Sequence, residues 1–321
     1  MRRRHLLAAA SLTALPARAQ GAFPSRPVTL VVAFPPGGQA DVVARVASPA
    51  LERIWRQPVP IVNRPGASGE VGNASVARAA PDGYTLLMGL SFMTLVPEAA
   101  RINGRQPAYT PEQLAPVALL SADPTVLVVP AASPIRTLEE FIADARARPG
   151  QLAYASAGNY SALHVSMAML GQAARLDMLH VPFQGGDPAT TALLAGQVQC
   201  MAATPSAIAP QVQAGRVRPL AIWGRNRLAA FPDVPTFIER GLEGVEFYIW
   251  VGLFAPAGTP APILAALREA AAAVVADIDF RRALAASGNT LDHRDGAAFR
   301  RFYEEDTERG VRVVRGLGRI E

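Results

Sequence analysis

Val28-Thr-Leu-Val-Val-Ala-Phe34 runs directly into Pro35-Pro-Gly-Gly-Gln-Ala-Asp41. The first stretch is rich in β-branched residues and reads as a strand. The second is a Pro/Gly turn, and beyond it Val43, Val46, Ala50 and Ile54 fall at helical spacing. The unit is therefore strand, tight turn, helix N-terminus. The first amides of a helix lack internal partners, and the helix dipole places partial positive charge there. Gly37 and Gly38 let a ligand approach the backbone closely. A second unit of the same kind follows. Leu152-Ala-Tyr-Ala-Ser156 leads through Ala157-Gly-Asn-Tyr-Ser161 into a helix carrying Leu163, Met167 and Leu170. Two such units in the two halves of one chain suit a small anion held between two domains.

Working outward, strand-like and helix-like runs alternate through most of the 321 residues. Strands are expected at 28–34, 59–63, 85–89, 126–130, 152–156, 178–182, 198–202, 219–223 and 250–256. Helices are expected to begin near Asp41, Gly69, Thr137, Ser161, Asp187, Ala207, Thr236, Pro262, Asp279 and Gly296. This alternation predicts an α/β class with mostly parallel sheets. Pro49 falls inside the first helix and should kink it. The length allows two domains of ordinary size, and half the residues are hydrophobic, enough for substantial cores. No low-complexity linker is present, so crossing strands rather than a tether would join the domains.

The chain opens with Met1-Arg-Arg-Arg-His-Leu-Leu and a short apolar run, ending Ala17-Arg-Ala19. A basic start, an apolar core and a small-x-small end predict a secretory signal over residues 1–19. The twin Arg3-Arg4 also suits a twin-arginine signal. The formal charge of +5 comes largely from this leader, and without Arg2, Arg3, Arg4 and Arg18 the charges nearly balance. No nucleic acid is implied as a partner. All 31 basic residues are arginine, which excludes a lysine Schiff base and a P-loop lysine. Cys200 is the sole cysteine and lies in an apolar run, which predicts a buried structural thiol. There is no Gly-x-Ser-x-Gly elbow, His-Glu-x-x-His, Cys-x-x-Cys or Gly-x-Gly-x-x-Gly. His164, His180 and His293 are scattered in sequence, so no metal and no cofactor is expected.

A set of ordered motifs then carries a family resemblance. They are Phe23-Pro-Ser-Arg-Pro27, Phe34-Pro-Pro-Gly-Gly38 with Asp41, Asn63-Arg-Pro-Gly-Ala67 with Gly69 and Gly72, and Pro81-Asp-Gly-Tyr-Thr-Leu-Leu87. Ser156-Ala-Gly-Asn159 with Ser161 and His164, His180-Val-Pro-Phe183, Gly196-Gln-Val-Gln199, Pro232-Asp-Val-Pro-Thr236, and Trp250 with Ala255-Pro-Ala-Gly-Thr-Pro260 complete it. In this order the chain resembles the substrate-binding proteins of tripartite tricarboxylate transporters, the Bug family, from Phe23 to the C-terminal helix. The resemblance implies a type II periplasmic binding fold. Domain 1 would comprise residues 20–122 and 246–321, and domain 2 residues 123–245. It further implies a periplasmic, monomeric protein that captures a small carboxylate and delivers it to a membrane permease, without chemistry of its own. A periplasmic sensor that presents the solute to a kinase is an alternative, and an exported hydrolase is another.

In the family the carboxylate is held by loop amides and bridging waters, which suits the two helix N-termini. The candidate ligand-binding residues are Pro36, Gly37, Gly38, Gln39 and Asp41 in the first loop and Ser91 and Phe92 after the third strand. Ser156, Ala157, Gly158, Asn159, Tyr160 and His164 belong to the second loop and its helix, and Thr204 to a later turn. Backbone amides at 37–39 and 157–159 are expected to hold carboxylate oxygens from opposite sides. Asp41 reads equally as a structural cap, Ser161 as an N-cap, and Trp250 as core. The chain departs from the family pattern at Phe92 and Met93, at Tyr160, and at Met201-Ala-Ala-Thr204. The apolar Phe92-Met93 wall and the absence of an evident arginine clamp predict a carboxylate with an apolar body rather than a tricarboxylate.

Overall fold

The computed structural model describes residues 23–320 and contains two β-sheets flanked by helices. The predicted leader lies outside the described residues. The opening unit forms as read: β1 (Thr29–Val32) is buried, the Pro/Gly turn is exposed, and α1 (Gln39–Trp55) packs its small apolar face inward. Pro49 sits on the exposed face, and the helix continues through it.

The first sheet adds β2 (Ile61–Asn63), β3 (Thr85–Leu90), β4 (Leu114–Pro124), β10 (Tyr248–Pro256) and β11 (Leu291–Arg294), in the order β11-β4-β10-β3-β1-β2. β1 pairs in parallel with β2 and β3, whereas β10 runs antiparallel to both β3 and β4. Its helices include α2 (Glu70–Ala77), the short α3 (Val96–Ile102), α8 (Ala261–Ala276), α9 (Ile278–Ala286) and the long α10 (Gly296–Leu317).

The second sheet has the order β7-β6-β8-β5-β9. Its strands are β5 (Val126–Pro130), β6 (Ala153–Ser156), β7 (Leu179–Pro182), β8 (Cys200–Ala203) and β9 (Val217–Ile222). β6 is parallel to β7 and β8, and β5 is antiparallel to β8 and β9. The helices α4 (Leu138–Ala147), α5 (Ala162–Ala174), α6 (Gly186–Leu194) and α7 (Pro205–Gln213) surround it. Nearly every residue of α5 is buried, as its all-round apolar sequence requires. Cys200 is fully buried in β8, and that burial pushes its thiol pKa upward.

Two chain crossings join the sheets. β4 passes into β5 with only Thr125 between them. The return is stitched by Trp223 N–H to the Thr125 carbonyl (2.9 Å) and Phe247 N–H to the Trp223 carbonyl (2.8 Å). α10 adds a third connection, since Gln172 of α5 donates to the Val313 carbonyl at 3.2 Å. Trp250 is core: it is fully buried among Phe254, Phe299, Phe302 and Tyr303, and its indole N–H donates to Asp306 at 2.7 Å.

Three elements were not expected from the sequence: α3, β4 and β11. One expected helix does not form. Thr236 and Glu239 cap a turn reciprocally, but only a single 3-10 turn (Ile238–Arg240) results, ended by Gly241 at φ +78°.

Candidate functional site

A cleft of about 630 Å³ opens at the carboxyl ends of strands from both sheets, the usual position for ligands in α/β folds. One wall carries Phe34 beyond β1, Ala67 and Ser68 before α2, Phe92 beyond β3, Val96 and Ala99 of α3, then Asn103 and Arg105. The other carries residues 157–161 between β6 and α5 and residues 182–184 at the end of β7.

The second loop is built from a few internal bonds. Ser156 Oγ accepts the Gly158 amide at 3.2 Å and lies 2.6 Å from His180 Nε2. Ser161 caps α5 through the His164 amide, and His164 Nδ1 accepts the Tyr160 amide at 3.0 Å. Nδ1 is therefore unprotonated. The His164 and His180 rings stack at 3.7 Å with 15° between their planes, and Tyr154 lies beside both, 5.1 Å from His180 and 6.1 Å from His164. Burial, then the neighbouring His180, lowers the His164 pKa to about 3, and burial lowers His180 to about 4. Both rings are neutral supports beneath the loop. The amides of Ala157 and Asn159 have no acceptor among the described residues, and they sit just ahead of the α5 N-terminus.

Tyr160 has φ +57° and faces the cleft. Its hydroxyl donates to the Gly318 carbonyl (2.7 Å) and accepts the Ile320 amide (3.0 Å), with Asn103 Nδ2 at 3.4 Å. The cleft loop is thus joined to the end of α10 and to the opposite wall.

The facing wall is apolar at Phe34, Phe92, Val96 and Ala99, with Ser68, Asn103 and Arg105 as its polar members. Phe34 and Phe92 meet edge to face at 6.1 Å. The turn below them runs through four consecutive residues of positive φ: Gly66 (+138°), Ala67 (+46°), Ser68 (+55°) and Gly69 (+92°). Ala67 and Ser68 carry backbone strain of about 1–3 kcal/mol each. A Cβ on Gly69 would stand 2.8 Å from the Phe34 ring, so glycine there makes room for this wall.

Of the residues singled out from sequence, Phe92, Ala157, Gly158, Asn159 and Tyr160 line the cleft; Pro36, Gly37, Gly38, Gln39, Asp41, Ser91, Ser156, His164 and Thr204 do not. Two of the three first-loop amides, those of Gly37 and Gly38, need a correction. The Gly37 N–H turns back onto Asp41 Oδ2 at 2.9 Å, and Gly38 N–H faces the Pro35 carbonyl at 3.5 Å. A carboxylate three residues into the helix competes for those donors, and it wins because it is adjacent. Asp41 is 1 % exposed and also takes Arg45 and Asn63. Burial alone would raise its carboxyl, but the Arg45, Gly37 and Asn63 hydrogen bonds outweigh that and hold it below the usual range. Gln39 Nε2 instead donates to Asp123 of β4 at 2.9 Å, tying α1 to a crossing strand.

Ser91 is buried, and its hydroxyl has no partner among the described residues. Thr204 caps α7 through the Ala207 amide at 3.4 Å. His164 and His180, scattered in sequence, meet in the fold as a stacked pair. Among the described residues no group of three or more His, Cys, Asp or Glu is placed to hold a metal ion.

Sequence reasoning missed Phe34, Ala67, Ser68, Val96, Ala99, Asn103, Arg105, Pro182, Phe183 and Gln184 as cleft residues, and read Ser161 as a cap alone. The ends of the expected strands at 34 and 182, and the glycines at 66 and 69, were usable signals. Nothing local marks Arg105.

Residues 43–319 match the model of the tripartite tricarboxylate transporter family receptor. A TctC solute-binding protein from Polaromonas superposes with a TM-score of 0.81 at 30 % identity, covering 92 % of this chain and 99 % of that one. MatC from Rhodopseudomonas palustris with bound malate gives 0.74 at 35 % identity, over 91 % and 100 %. The R. palustris protein Rpa4515 with adipate gives 0.76 at 29 % identity, over 91 % and 97 %. The α/β fold of the periplasmic binding proteins, expected from the sequence, is the fold this chain has.

Proposed function

Because the chain belongs to the tripartite tricarboxylate transporter receptor family, we propose that it is an exported solute-binding protein. It captures a small organic carboxylate in the cleft and delivers it to a membrane permease. Receptors of this family are solute-binding proteins, and among the described residues no helix is long and apolar enough to cross a membrane. The neighbours hold malate and adipate, both carboxylates.

The observation that carries the reading is the pairing of two unlike walls. The Ala157 and Asn159 amides at the head of α5 offer donors to carboxylate oxygens, and Phe34, Phe92 and Val96 face them with apolar surface. A charged acceptor suits such amides, each bond to it contributing about 1.5–3 kcal/mol. The first loop contributes less than expected: the Gly37 amide is taken by Asp41, and the Gln39 side chain ties α1 to β4. The two sheets are the centres of two domains, residues 20–122 with 246–321 and residues 123–245, and the chain works as a monomer. Closure about the two crossings completes the surface that a permease recognises.

The test is a thermal-shift screen with citrate, succinate, glutamate, adipate, benzoate, nicotinate and terephthalate. A ligand at ~100 times its dissociation constant adds about 2.7 kcal/mol to the folded state. Carboxylates with an apolar body are expected to give the largest shifts. A panel in which citrate alone acts overturns the reading of the cleft wall, and one in which no carboxylate acts overturns the function.

A further inference from the structure

Arg105 is the one charged side chain among the described residues lining the cleft, and no acidic residue lines it. Its backbone is fixed by the amide bond to the Ala100 carbonyl at 2.8 Å, just past the end of α3. Its guanidinium stands 3.6 Å from Glu70 Oε2, and the side chain is 59 % exposed. That separation is beyond a good hydrogen bond. Glu70 spends its other oxygen on the Ala108 amide at 2.7 Å. Glu70 therefore steadies the guanidinium from behind without using its forked donors, of which five exist.

We propose that Arg105 is a specificity-determining residue that pairs with a second acidic group on the ligand. The amide loop at 157–159 takes one carboxylate, the Phe34, Phe92 and Val96 surface takes an apolar middle, and Arg105 takes the second carboxylate. The ligand class is then a dicarboxylic acid with an apolar spacer, preferred over the monoacid of equal length. Planar, bidentate recognition of a carboxylate is what a guanidinium does better than an ammonium. This rests on the carboxylate reading of the cleft and sharpens it.

Calorimetry on the full chain with adipate and hexanoate tests it, comparing wild type, Arg105→Gln and Arg105→Lys. Wild type should bind adipate about tenfold or more tighter than hexanoate. Arg105→Gln should erase that preference and leave hexanoate affinity unchanged, and Arg105→Lys should restore part of it. The adipate affinity of wild type should fall as salt rises, and that of Arg105→Gln should fall less. The melting temperature should move little, because among the described residues the ionic contact of Arg105 is one long pair to the buried Glu70, which keeps its bond from the Ala108 amide. Equal losses for both acids, or none, in Arg105→Gln would overturn the role of Arg105. So would a wild-type protein that binds both acids equally, while the carboxylate reading would stand. Binding of neither acid by wild type would remove both.

Discussion

Acid should weaken this fold through the two stacked imidazoles under the 157–161 loop. His164 is held at about 3 by burial and then by His180, and His180 at about 4 by burial. In the unfolded chain both rings return to about 6.5. With the folded values below the unfolded ones, the unfolded state takes up protons first as the pH falls. The stability these rings contribute is therefore complete above about pH 6.5 and is lost progressively down towards the folded values. At about pH 5 the loss is about 2 kcal/mol for His164 and, discounted for its greater exposure, about 1–2 kcal/mol for His180.

The control is the double variant His164→Asn, His180→Gln. The Asn Oδ1 can accept the Tyr160 amide, and the Gln amide can reach Ser156 Oγ. Buried Asp123 and Asp306, whose carboxyls burial raises, pull the pH dependence the other way, but both proteins share them and they cancel. Urea unfolding of each protein at neutral pH and at about pH 5 measures the difference. Wild type should lose roughly 3–4 kcal/mol more than the double variant between the two conditions. Equal losses, or an NMR titration that places either ring near 6.5, would refute the argument.

Other outcomes follow from the same geometry. Gly69→Ala puts a methyl 2.8 Å from the Phe34 ring at φ +92°; it should cost about 1–3 kcal/mol by thermal unfolding and reduce carboxylate affinity through the displaced ring. Asp306→Leu leaves the buried Trp250 indole N–H without its 2.7 Å acceptor, and urea denaturation should register a loss of about 1–3 kcal/mol. Asn159→Pro deletes one free cleft amide, and calorimetry should show carboxylate binding weakened by about 1.5–3 kcal/mol in a folded protein. The secreted chain should begin at Gln20, as N-terminal sequencing would read it; retention of Met1 on exported material would contradict the signal assignment.

The strands legible in the sequence are those with compact apolar runs: β1–β3 and β5–β10 all lie where expected, within two residues at the ends. β4 escaped notice for a physical reason. It is buried along almost its whole length, so it shows no alternation, and its Pro116, Asp123 and Pro124 read as loop. Pro124 sits where the strand leaves one sheet for the other, and Asp123 is satisfied by Gln39, Ser121 and the Thr290 amide. β11 is four residues with three polar side chains, and α3 is two turns long; neither gives a period to read. The second cleft loop was legible because strand, glycine turn and capped helix are consecutive in sequence. The first loop was legible as a turn, but two of its three expected amides turn inward, Gly37 onto Asp41 and Gly38 towards the Pro35 carbonyl, because sequence alone does not say whether Asp41 points outward or folds back. Arg105 was invisible because its place depends on where α3 ends and how α2 packs beside it.

The Tyr160 hydroxyl grips both sides of the turn that follows α10, accepting the Ile320 amide and donating to the Gly318 carbonyl. The same side chain stands in the cleft wall. Residues 318–320 are therefore a handle on the ligand loop. A purification tag or dye fused after them adds its load to these residues and through them to Tyr160, so affinities measured on C-terminal fusions should differ from those of the untagged chain. Fusions placed ahead of Phe23 bypass this linkage. Conversely, an environment-sensitive fluorophore near the tail would report occupancy of the cleft without touching any residue that lines it.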